Sequence, residues 1–240
     1  MPNSKTVYLD HAASSPLRPQ AAEAMRAYEQ SPYAGANPNS LHTMGRLAAR
    51  ALDGARSDLA RCLGGRFRPA DVTFTSGGTE SNNLAVLGIS EGMRARDRRR
   101  TAVVLSAIEH DSILDLVPML HERGFEVRIA TADRDGVITP EALSDVLDQS
   151  VALVSVMSAN NETGVIQPVG ELSRLTHDVG ALLHTDAVQA FGRVSLELED
   201  VDAVSVAAHK IGGPVGMGAL AVRGRVPLRP LMLGGGQELG

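Results

Sequence analysis

Five apolar runs in this 240-residue chain end in groups able to bind ligands or move protons. The run Asp202 to Ala208 closes on His209 and Lys210, followed by Gly212 and Gly213. Lysine is rarely buried unless paired or reactive, and a desolvated amine has a lowered pKa and can form a Schiff base. Residues 181–185 end at His184, Thr185 and Asp186, with Gln189 one turn further on. Asp186 can cap a helix, or as a buried carboxylate it can hold a cationic ring nitrogen. Residues 71–75 lead into Ser76-Gly77-Gly78-Thr79-Glu80-Ser81-Asn82, which opens a helix. That stretch can be an ordinary capping arrangement, or its glycines and helix start can receive an anion such as phosphate. Residues 101–108 deliver Glu109, His110 and Asp111, and residues 151–157 deliver Asn160 and Asn161. A histidine there can be a satisfied polar residue or can stack on a planar ligand and relay protons. Of the two asparagines, one is expected in a turn.

Positioning these groups requires alternating strands and helices. The apolar spacing predicts helices at 19–30, 43–63, 79–95, 111–123, 140–149 and 168–179. The second is expected to bury Leu47, Ala51, Ala55, Leu59 and Leu63, with Cys62 as a small buried hydrophobe. Strands are expected at 71–76, 101–108, 125–130, 151–157, 181–186, 202–208 and 218–223, the last antiparallel to its neighbour. Near-continuous apolar strands imply a sheet covered on both faces, hence a three-layer α/β/α domain with a mostly parallel sheet. Such sheets bind ligands outside the carboxyl ends of their strands, where all five polar clusters fall. A phosphate-binding helix start, a carboxylate and a lysine are the parts that a pyridoxal 5'-phosphate site needs. Neither GxGxxG nor GxxxxGK[ST] is present, so dinucleotide and P-loop readings have no support.

Bulk composition sets limits. A net charge of −5 and 3% aromatic residues argue against a nucleic-acid surface. The arginines at 94, 96, 98, 99 and 100 are read as a solvated loop. One cysteine cannot form an intrachain disulfide or a cysteine-based metal site, so no metal is expected. No apolar stretch approaches a membrane span of about 20 residues, and a soluble, cytoplasmic protein is expected.

The motifs, taken together, resemble the cysteine desulfurases, the NifS/IscS-like branch of the class V aminotransferase group. The resemblance rests on YLDHAASSP (8–16), GANPNSLHTMGRLA (35–48), FTSGGTESNNLA (74–85), EHDSIL (109–114), NNETGVIQPV (160–169), HTDAVQAFG (184–192), AHKIGGPVGMGAL (208–220) and GGGQE (234–238), in order. It implies the large domain of fold type I, pyridoxal phosphate as cofactor, L-cysteine as substrate, a homodimer, and a sulfur acceptor or iron–sulfur scaffold protein as partner. It also implies roles: Lys210 for the Schiff base, Asp186 for the pyridine nitrogen, and Gln189 and Asn161 on the phenolic oxygen side. His110 would stack on the ring and move protons, and Gly78, Thr79 and His209 would bind the phosphate.

Two departures stand out. Ala207 occupies a position where many members of the family carry a phosphate-binding serine. Unless Ser205 or a main-chain group substitutes, that loss would cost about 1–3 kcal/mol. The family also continues beyond GGGQE into an Arg-Ser-Gly-Thr stretch and a small domain with the persulfide cysteine and a substrate-binding arginine. The chain is therefore expected to comprise an N-terminal segment (1–15), expected to be poorly ordered, and a pyridoxal-phosphate-binding large domain (16–240), without that small domain. Alternatives are a related lyase or aminotransferase, and a non-catalytic cofactor-binding or dimerising chain.

Overall fold

The computed structural model describes residues 7–64 and 66–239. Seven strands form one sheet: β1 (Val72–Thr75), β2 (Ala102–Ser106), β3 (Glu126–Ala130), β4 (Val151–Ser155), β5 (Leu182–Asp186), β6 (Ala203–Ala207) and β7 (Gly218–Val222). Their order is β1-β7-β6-β5-β4-β2-β3. β7 runs antiparallel to both β6 and β1, and every other pairing is parallel. The short connection after β6 permits the antiparallel return, whereas parallel neighbours need a crossover.

Alternate residues of the buried strands face opposite layers. Val104, Val154, Leu183 and Val204 join a core with Ala60 and Leu63 of α2 (Thr43–Leu63), Leu143 of α7 (Pro140–Ser144) and Leu172 of α8 (Val169–Asp178). Val103, Leu105 and Leu153 face a second core, with Ala85, Val86, Leu87 and Ile89 from the long helix after β1 and with Ile113 and Leu120. The chain is a three-layer α/β/α fold, as the near-continuous apolar strands require.

Local differences from expectation have physical causes. The helix expected at 79–95 runs as α3 (Gly78–Asn83), a π-helical segment at Leu84–Ile89, and α4 (Ser90–Arg96). The helix at 111–123 divides into α5 (Asp111–Leu114) and α6 (Val117–Glu122), with Pro118 in the first turn of α6. On α2, Ala48 and Ala60 are buried while Ala55 and Cys62 are exposed. Cys62 directly precedes buried Leu63, so the helical turn carries it off the packed stripe. The arginine cluster also does more than face solvent. Arg94 stacks over Phe125 at 3.9 Å, and Arg100 donates to the carbonyls of Val151 (2.8 Å) and Val179 (2.9 Å). No helix among the described residues is long and apolar enough to cross a membrane.

Two glycines give opposite predictions. A Cβ on Gly92 of α4 would lie 2.1 Å from the Pro227 carbonyl oxygen, where the chain after β7 crosses the helix. Gly92→Ala is expected to destabilise the fold by about 1–3 kcal/mol, because backbone must move. Gly54, exposed in α2, has nothing within 4 Å of an added Cβ. Gly54→Ala is expected to stabilise by about 0.5–1 kcal/mol through helix propensity and unfolded-state entropy. Denaturant midpoints of the two variants should therefore move in opposite directions.

Candidate active site

The carboxyl ends of the strands converge on a cavity of about 440 Å³. All eight residues singled out in the sequence reach it. From β6 and its turn come His209 and Lys210, and from the end of β5 and the turn after it come Asp186 and Gln189. Gly78 and Thr79 of α3, together with His110 and Asn161, complete the eight.

Each is placed by its local backbone. Lys210 ends a 3-10 turn, Ala208–Lys210, one step beyond β6. The turn ties back to the sheet through Ala208 N–H to Met217 O at 2.9 Å. Gly213 lies against it, since a Cβ there would fall 2.7 Å from Ala208 Cβ. The Lys210 ammonium donates to the carbonyls of Ala12 (2.5 Å) and Ala13 (3.0 Å). Burial lowers its pKa, and the nearby Arg193 charge lowers it further. Burial also lowers the pKa of His209, with Lys210 acting in the same direction.

Asp186 is 4% exposed on the cavity floor. Its Oδ1 accepts from Val188 N–H at 2.8 Å, and its Oδ2 from Asn82 Nδ2 at 2.7 Å. Desolvation raises its pKa, while these two donors and the charges of His110 and Lys210 pull it down. The carboxylate is thus buried, oriented and without a cation in direct contact among the described residues. A cationic, planar group fits such a floor.

The mouth of α3 shows both readings of its sequence. Glu80 Oε2 accepts from Ser76 N–H (2.7 Å) and Ser76 Oγ (2.6 Å), an ordinary local cap. The start is nonetheless tightly packed, since a Cβ on Gly78 would meet Val188 Cγ2 at 2.9 Å and one on Gly218 would meet Gly77 C at 2.6 Å. Gly78 and Thr79 lie in the first turn, facing the cavity, where helix N–H groups favour an anion.

Several expectations need correction. Ser205 cannot stand in for a phosphate-binding serine: it is fully buried and shares a 2.9 Å hydrogen bond with His184 Nε2. Ala207 itself lines the cavity. His184 and Thr185 are fully buried rather than at the rim, because they precede the strand end and pair within the sheet. Burial drives the His184 pKa down to about 3, so it is neutral between Ser155 and Ser205. Asn160 is the turn residue, its Oδ1 accepting from Glu162 N–H and Thr163 N–H at 3.0 and 2.9 Å. Residues 1–6 lie outside the described residues, but the rest of the N-terminal segment is tied to the site. Gln189 Nε2 donates to Ala12 O at 2.8 Å, Ser15 N–H to His209 O at 2.7 Å, and Arg193 to both His11 O and Lys210 O.

Asn82 is the functional residue that the sequence did not single out. It is 1% exposed, and its Nδ2 bridges Asp186 and Ser112 Oγ (2.9 Å) while its Oδ1 has no partner. Its signal was available, since it closes the SGGTESN stretch one helical turn after the cavity-facing Gly78. Ser112 in turn meets His110 Nδ1 through both its N–H and its Oγ, each at 3.0 Å, and so fixes the ring. Cys62 is not among the cavity-lining residues.

A half-buried amine, an oriented carboxylate and a helix start thus face one cavity at the carboxyl ends of this α/β sheet. Residues 7–239 match the aminotransferase class-V family, and the chain belongs to it. It is similar to an IscS-like cysteine desulfurase of Mycobacterium tuberculosis, 46% identical over 237 residues, covering 96% of this chain and 59% of that protein. Among solved structures it resembles a NifS-like protein (37% identity, TM-score 0.89), covering 98% of this chain and 63% of the other. SspA in complex with cysteine is also similar (34% identity, TM-score 0.88), with 98% and 67% covered. The chain thus spans under two thirds of the length of the curated relative.

Proposed function

We propose that residues 16–240 form the pyridoxal-phosphate-binding large domain of a cysteine desulfurase, converting L-cysteine to L-alanine and passing the sulfur to an acceptor. One observation carries the reading: a buried carboxylate, Asp186, held by two donors on the floor of a cavity that Lys210 and His110 also face. Similarity to cysteine desulfurases, and to a structure named as a complex with cysteine, supports the choice of substrate.

The bound cofactor supplies an electron-accepting ring. Asp186 would keep the ring nitrogen protonated, its carboxylate held in place by Asn82 and the Val188 N–H. Gly78, Thr79 and His209 hold the phosphate. With Ala207 at the usual serine position, main-chain N–H groups of α3 carry more of that anion. Gln189 and Asn161, which line the cavity, would bind on the phenolic oxygen side. His110 would stack on the ring and move protons, with its Nδ1 held by Ser112. Lys210 is the attachment residue and proton carrier, and its lowered pKa favours the neutral, nucleophilic amine. The acceptors are a thiolate on the protein and then a scaffold protein for iron–sulfur or thio-cofactor assembly, in the cytoplasm. A homodimer is favoured by α1 (Pro19–Glu29), which buries no residue and leaves Met25 and Tyr28 exposed.

Amino-acid profiling tests the reading. With pyridoxal phosphate bound, L-cysteine should shift the visible band more than other amino acids do, and Lys210→Ala should abolish that response. A stronger response to another amino acid would assign the chain to a related lyase or aminotransferase.

A further inference from the structure

We propose that Glu109 is a positioning residue: its carboxyl clamps the loop carrying His110 to the loop carrying Asn161, and loss of its proton loosens that rim. Glu109 is 6% exposed between the ends of β2 and β4. Its Oε1 accepts from Ser106 Oγ at 2.5 Å and from the Met157 N–H at 2.7 Å, so one oxygen joins both strand ends. Met157 lines the cavity, and Asn160 Nδ2 reinforces the junction by donating to Ile108 O at 3.1 Å. The other carboxyl oxygen, Oε2, is buried with no hydrogen-bond partner among the described residues. A neutral acid with its carbonyl oxygen doubly engaged fits this site, whereas an ionised carboxylate would leave one charged oxygen uncompensated.

The surroundings add to that cost. Asp186 of β5 is the charged group that acts on Glu109 through space, and it carries the same sign. A cleft beside the junction is also lined by His110 and Asp111 of the Glu109 loop and by Glu162 of the Asn161 loop. Among the described residues no lysine or arginine lines the cleft. Burial first, then Asp186, pushes the Glu109 pKa up to about 8, against the donors Ser106 and Met157. Between about pH 4.5 and 8 the folded chain therefore keeps a proton that the unfolded chain has released. The stability linked to Glu109 is full below the unfolded value and is lost as pH rises through about 8.

The functional meaning of the clamp rests on the cofactor reading above, but the test does not. Amide exchange over residues 107–111 and 157–163, corrected for intrinsic rates, is measured on the cofactor-free chain at pH 7 and pH 9. The ionised fraction of a group titrating near 8 grows about tenfold over that interval, and loop exchange is expected to rise by up to that factor. Glu109→Gln keeps an oxygen for Ser106 and Met157 but cannot ionise, so its loops should stay at the pH 7 level at both pH values. Glu109→Ala removes the acceptor and should exchange fast at both. A rise in Glu109→Gln equal to that of the parent, or no rise in the parent, would overturn the proposal. If Glu109→Ala does not fold, the glutamine comparison decides alone. With pyridoxal phosphate added, the pH profile of the visible band should flatten in Glu109→Gln. Absence of any band in either protein would count against the cofactor reading and leave the exchange result standing.

Discussion

Lys210→Ala is expected to abolish covalent attachment of pyridoxal phosphate and the visible absorption that accompanies it. No other group in the cavity can replace that amine. Asn82, Asn161 and Gln189 carry amides, His110 and His209 carry imidazoles, and Arg193 is committed to the carbonyls of His11 and Lys210. Lost proton transfer alone should slow amino-acid turnover by about 10²–10⁴-fold. The fold should persist, because among the described residues the ammonium donates only to the carbonyls of Ala12 and Ala13, at the surface of the site. Circular dichroism together with absorption after cofactor addition separates the two effects. An unchanged visible band in Lys210→Ala would mean that the lysine is a bystander at a strand end.

Asp186→Asn is expected to impair turnover far more than cofactor affinity. Both carboxylate oxygens accept hydrogen bonds, from Val188 N–H and from Asn82 Nδ2. An asparagine keeps the first through its oxygen and turns its NH₂ toward Asn82. Asn82 can answer by rotating its amide, giving up its Nδ2 donation to Ser112 Oγ, a hydroxyl that can donate to the turned oxygen instead. The shape of the floor is thus preserved while the charge is removed. A neutral floor cannot hold a ring nitrogen protonated, and removal of one preorganised electrostatic partner typically costs about 10²–10³ in rate. Affinity measured by cofactor titration should change much less. If the Asn variant turns over as fast as the parent, Asp186 serves only to cap the chain after β5.

The layers and most strand ends were legible because buried parallel strands read as apolar runs and ligand groups collect where those runs stop. His209 and Lys210 illustrate this: an apolar strand, then two polar residues, then glycines. What the sequence hid depends on contacts between distant segments. Asn82 looks like one more helix residue until the fold sets its amide against Asp186, 104 positions away. Ala12 and Ala13 carry no chemical signature, since they contribute only carbonyl oxygens, and their place against Lys210 comes from docking of the N-terminal segment. Serine at 205 promised a phosphate ligand, but it sits two residues before the cavity-lining Ala207 on the same strand face, fully buried in the sheet against His184. Gly88 of the π-helical segment and Gly92 of α4 admit the chain after β7, since an added Cβ on either would meet backbone oxygen of Arg229 or Pro227. Arg94 and Arg100 likewise look like loop charge until Phe125 and the Val151 and Val179 carbonyls are brought to them.

Borohydride reduction followed by peptide mapping tests the central claim most directly. Lys5 and Lys210 are the only lysines in the sequence, so a reduced cofactor adduct has two lysine side chains to choose between. The cofactor-loaded protein should yield a single pyridoxyl-labelled peptide containing Lys210, and Lys210→Ala should yield none. A label on Lys5, or a cofactor that remains bound without any reducible link to Lys210, would contradict the account.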